Sequence, residues 1–145
     1  MNDSGAMMQS TVMENGLYFQ TTVNTDFDTT VANIREALPG EGFGILTEID
    51  FSGKMKEKLD ADIPRCLILG ACNPPFGLEA YRLEPWIGIE LPCNIVVRQM
   101  EDGKVAVAMK NPALLVEFTG QEEIRPMSEE VKAKVRRILS SIASA

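Results

Sequence analysis

The stretch CNIVVRQMEDGKVAVAMK (residues 93–110) decides the fold. Two runs rich in Val, Ile and Ala flank Glu101-Asp102-Gly103, and Asp-Gly between such runs is a strong hairpin signal. The spacing predicts two antiparallel strands, over 93–100 and 104–110. Upstream, CLILGAC (66–72) is a third apolar run of strand length. GFGILTEIDF (42–51) alternates Phe43 and Ile45 against Gly44 and Leu46, as expected of a strand buried on much of both faces. Leu17–Val23 supplies a first strand.

Helical patterns fill the gaps. Asp26 is a ready N-cap for a helix with apolar positions Phe27, Val31, Ile34 and Leu38, and Pro39-Gly40 is its stop. SGKMKEKLDAD (52–62) predicts a short polar helix with Met55 and Leu59 facing in and its lysines solvated. Pro75 opens a helix reaching about Leu83, ended by Pro85. PALLVEF (112–118) is a short helix or loop. The last helix is expected from Ser128, with Glu129 and Glu130 in its first turn. Val131, Val135, Ile138, Leu139 and Ile142 give it one apolar stripe. This order predicts an α+β fold: a mainly antiparallel sheet with helices packed on one face. It forms a single compact domain over 16–145 after a mobile leader at 1–15.

A chain of 145 residues that is 45% hydrophobic holds enough apolar surface for one core. Its formal charge of −7 repels phosphate backbones and anionic lipid, so neither nucleic acid nor a membrane is an expected partner. No apolar run approaches the ~20 residues of a membrane-spanning helix. MNDSGAMMQSTVMENG lacks the basic start and apolar core of a secretory signal, which makes the cytoplasm the expected location. The three cysteines then read as reduced thiols. There is no histidine, which removes Ser-His-Asp and Cys-His nucleophilic sites and imidazole metal sites. Neither GxGxxG nor GxxxxGK[ST] occurs, so no nucleotide site or other cofactor is expected.

The residues that can carry chemistry lie in LGACNPP (69–75) and LPCN (91–94). Cys72 ends a strand just before a helix N-terminus, a setting that can lower a thiol pKa. Asn73 precedes Pro74, which holds its backbone extended and its amide at a fixed angle, suited to orienting a carbonyl or holding an oxyanion. Cys93 and Asn94 repeat the pair at the start of a strand. If the two strands are antiparallel neighbours, Cys72 and Cys93 share one rim of the sheet, with Glu84 overhanging it. Two such thiols suit redox, sulfur-relay or soft-metal chemistry. Equally, both cysteines can be core filling and the prolines plain punctuation. Zinc is poorly served, with two cysteines short of a ligand set unless Glu84, Glu90 or a second subunit contributes. Cys66 lacks an adjoining Asn and reads as core. Glu48 and Asp50 read as a solvated strand edge or a helix cap rather than an acid–base pair.

The motifs EGFGILTEIDFSGKMKEKL (41–59), ILGACNPP (68–75), Glu84-Pro85 followed by Ile87-Gly88, and LPCNIVV (91–97) occur in an order that resembles the domain of unknown function family 302. The resemblance covers about residues 17–142. It implies a TATA-binding-protein-like α+β fold, commonly a homodimer, and it implies no activity. Trp86, between the two short motifs, stands where a polar residue is expected and marks a contact or partner surface.

Two readings of function follow. One is a small-molecule or sulfur-species binding protein whose pocket is lined by Cys72, Asn73, Pro74, Glu84, Cys93 and Asn94, with Cys72 and Cys93 as candidate catalytic thiols and enzymatic action left open. The other is a non-catalytic structural or regulatory homodimer in which these motifs shape turns and interface, with Trp86, Ile87 and Ile89 buried between subunits.

Overall fold

The computed structural model describes residues 12–145. Six antiparallel strands form one sheet in the order β1-β2-β6-β5-β4-β3. They are β1 Met13–Glu14, β2 Tyr18–Val23, β3 Gly44–Asp50, β4 Cys66–Cys72, β5 Cys93–Gln99 and β6 Val105–Lys110. The helices are α1 Phe27–Gly40, α2 Phe51–Leu59, α3 Pro74–Leu83, α4 Ala113–Thr119 and α5 Arg125–Ala143, with short 3-10 turns at Ile87–Ile89 and Glu122–Ile124. The α+β reading from sequence and its mainly antiparallel sheet hold.

Strand alternation sets which face is buried. Phe19, Thr21 and Val23 of β2 align through the ladders with Val105, Val107 and Met109, then Ile95 and Val97, then Leu69. All are buried, and they form the floor on which the helices lie. Phe27, Ile34 and Leu38 of α1, Phe76 and Ala80 of α3, Leu115 and Val116 of α4, and the predicted stripe of α5 close the core from above. The hairpin turns where expected, with Gly103 at φ +88°.

Three local expectations are overturned. β3 is an edge strand, exposed along nearly its whole length, with an irregularity between Ile45 and Thr47 that pushes Leu46 outward. Its alternation of Phe and Ile is therefore not two-sided burial; only Phe43, just before the strand, is core. α2 buries no residue, and Leu59 points to solvent. α5 begins at Arg125 rather than Ser128, because Pro126 fits a first helical turn that needs no N–H there. Of the leader expected over 1–15, residues 1–11 lie outside the described residues, while Met13 and Glu14 pair with Gln20 and Phe19.

Candidate functional site

The end of β4 runs straight into α3, and Asn73 makes the junction. Its Oδ1 accepts from the Phe76 N–H at 3.5 Å, and its Nδ2 donates to the Glu41 carbonyl at 3.4 Å. Pro74 and Pro75 occupy the first helical positions and carry no N–H. The Gly77 N–H goes to the Asn73 carbonyl at 2.9 Å. The positive end of α3 is thus closed by its own chain. Asn73 also lines a notch of about 170 Å³ with Gly42, Pro75, Met127, Glu130 and Lys134.

This closure explains the behaviour of Cys72. The thiol is half-buried beside α3; a Cβ at Gly77 would stand 3.3 Å from its Sγ. No helix N–H is left to stabilise a thiolate, and burial pushes its pKa up rather than down. The lowering expected from the helix terminus does not occur.

Cys93 follows the cis Leu91-Pro92 bond and is buried. Burial pushes its thiol up to about 11, against a smaller downward pull from Lys110; Cys72 and Glu90 add to the rise. Its partner across the ladder is Ala71, not Cys72. In an antiparallel pair, a one-residue offset sends alternate side chains to opposite faces. Asn94, the next residue, is exposed and pairs with Gly70 on the far side of the sheet. The two Cys-Asn pairs are neighbours in the sheet, with Cys93 opposite Ala71 and Asn94 opposite Gly70, and Cys72 is near enough to Cys93 to act on its charge.

The carboxylates are also engaged locally. Glu84 accepts the Trp86 N–H at 2.8 Å, fixing the turn after α3. Glu90 holds Lys110 by its side chain at 2.7 Å and its carbonyl at 2.8 Å. Glu48 pairs with Arg35, and Asp50 caps α2 through the Gly53 N–H, in line with the edge-and-cap reading. Among the described residues, no group of three or more Cys, Asp or Glu is placed to hold a metal ion. No helix among them is long and apolar enough to cross a membrane.

Two features go beyond the sequence reading, which marks Trp86 and Ile89 but neither the cleft nor the α3 residues before them. One is a cleft of about 320 Å³ between α1 and the β3–β4 edge, where Arg35 and Arg65 face Glu48 and Asp28. Arg65 also lies 4.1 Å from the Phe27 ring centroid. Cys66, read as core, is half-exposed and lines this cleft. The other is the outer face of α3. Phe76 and Ala80 take the inner face, which leaves Leu78 and Tyr81 outward, followed by exposed Trp86 and Ile89. Ile87 alone of that turn is buried, in the core of the single chain rather than at a surface. The helical spacing of PPFGLEAYRL carried this signal all along.

Among solved structures, the chain is similar to the crystal structure of an uncharacterised conserved DUF302 protein from Bacillus stearothermophilus. The two superpose with a TM-score of 0.78 at 25% identity, covering 86% of this chain and 97% of the other. No curated protein matches. The family described as domain of unknown function DUF302 matches residues 19–142, nearly the whole sheet and all five helices. The chain belongs to the DUF302 family.

Proposed function

We propose that the protein is a non-catalytic homodimer that pairs through the outer face of α3 and the 3-10 turn after it. The observation that carries this reading is the run Leu78, Tyr81, Trp86 and Ile89. Trp86 is 74% exposed and Ile89 70% in the single chain. Large contiguous apolar patches on a protein surface commonly mark an interaction site. Full burial of such a side chain stabilises by about 1.5–3 kcal/mol, and Trp and Tyr are frequent interface anchors. The family resemblance gives the same expectation of a dimer. A non-catalytic role is supported by thiols that burial holds protonated and by an Asn73 amide already committed to the chain.

Trp86 is the sole tryptophan, so its fluorescence reports directly on the interface. Diluting the protein from tens of micromolar to nanomolar is expected to shift its emission to the red. Emission of a solvated indole at every concentration would end the reading.

The half-exposed Cys72 and the notch beside Asn73 favour a second reading, a ligand site at the β4–α3 junction. Unchanged ligand binding in the double variant Cys72→Ser, Cys93→Ser would remove the thiols from it.

A further inference from the structure

The face of the sheet turned away from the helices has a charge pattern of its own. Its positions on β2, β6 and β5 include Gln20, Thr22, Ala106, Ala108, Val96 and Arg98; no strand position on it is a carboxylate, in a chain of net charge −7, and Lys110 at its far end is taken by Glu90. Small residues on β6 leave a trough of about 80 Å³ between the side chains of β2 and β5. Its walls are Gln20, Thr22, Val96 and Arg98, and Ala106 and Ala108 are its floor. That volume takes several waters or a short hydrocarbon chain.

Arg98 sits at one end, cross-strand from Cys66 on one side and Ala106 on the other. Among the described residues the other six arginines each pair with a carboxylate. Among the described residues Arg98 has no such partner. Burial raises the Cys66 thiol, and the neighbouring Arg98 charge opposes that rise. A second copy laid on this face would bring no strand carboxylate to Arg98, so self-association here leaves the guanidinium unmatched. A small anion with an apolar body matches both the charge and the floor.

We infer that this trough binds a small monocarboxylate, its carboxylate held by the Arg98 guanidinium and its apolar chain lying over Ala106, Ala108 and Val96. A planar guanidinium fork fits one carboxylate bidentately; a phosphate dianion fits the same fork, but its second charge would meet no other cation in the lining of the trough. The site is independent of pairing through α3, since it uses the opposite side of the sheet.

Hexanoate and the uncharged hexanamide are suitable probes, titrated against the folded full chain and followed by amide NMR shifts. Hexanoate is expected to give saturable shifts confined to residues around Thr22, Val96, Arg98 and Ala106. Arg98→Gln is expected to weaken it about tenfold or more, as is replacing hexanoate by hexanamide. Ala108→Leu, which fills the floor while keeping the charge, is expected to weaken it as well. Shifts that do not saturate, or affinities equal in wild type and Arg98→Gln, would overturn the assignment. So would a loss of this surface to a second copy, seen as concentration-dependent shifts on the same residues without probe.

Discussion

Cys93 stands directly opposite Ala71 in the β4–β5 ladder, one residue out of step with Cys72. Cross-strand disulfides form most readily between directly opposed residues, and the residue opposed to Cys93 is Ala71. Mild oxidation of the native protein is therefore expected to leave Cys72 and Cys93 unbridged, with Cys72 alkylated faster than the buried Cys93. Peptide mass spectrometry reads both. A Cys72–Cys93 disulfide formed without loss of fold would contradict the register.

The buried Cys93 thiol also sets a stability slope at high pH. Its folded pKa, about 11, lies above the ordinary 9.0, so the unfolded chain ionises first. The stabilising contribution is whole below pH 9 and is lost as pH rises toward 11. Cys93→Ala is expected to flatten that part of the urea-unfolding profile between pH 8 and 10.5. An unchanged slope would mean that the thiol is reached by water.

Gly70, within the LGACNPP stretch, is needed because its neighbours close over it. A Cβ there would strike the Thr47 Oγ1 and lie 2.7 Å from the Pro92 Cγ. Gly70→Ala is expected to destabilise by roughly 1–3 kcal/mol, the usual result of overpacking. Chemical denaturation measures it, and a neutral result would mean that Pro92 moves aside freely.

Ser128 is fully buried in the first turns of α5, and its Oγ has no hydrogen-bond partner among the described residues. Removing a buried hydroxyl without a partner relieves a desolvation cost. Ser128→Ala is expected to be neutral or to stabilise by up to about 1 kcal/mol. A clear loss of thermal stability would show that the hydroxyl is bonded.

The sequence was most legible where one chemical requirement dominated. Asp26, the hairpin at Asp102-Gly103 and the stripe from Val131 to Ile142 each follow a local rule, and each element formed as read. Position in the sheet was not legible. GFGILTEIDF has the apolar content of a central strand, yet strand order leaves β3 at the edge. Ser128 looks like a cap, but Pro126 lets the helix start earlier. The surroundings of the candidate site were not legible either, because they depend on register and on which groups are already bonded. Nothing in CNPP states that Asn73 will spend its amide on Phe76 and Glu41, and nothing in LPCN states that Cys93 will meet Ala71. Arg98 was equally unreadable, since its lack of a partner depends on which residues the ladders bring beside it.

The central claim is self-pairing through Leu78, Tyr81, Trp86 and Ile89. Sedimentation velocity over a micromolar concentration series, on wild type and Trp86→Glu, tests it most directly. The account predicts a species of twice the chain's mass for the wild type and a folded monomer for the variant. A wild-type monomer throughout, or a dimer that Trp86→Glu leaves intact, would contradict it.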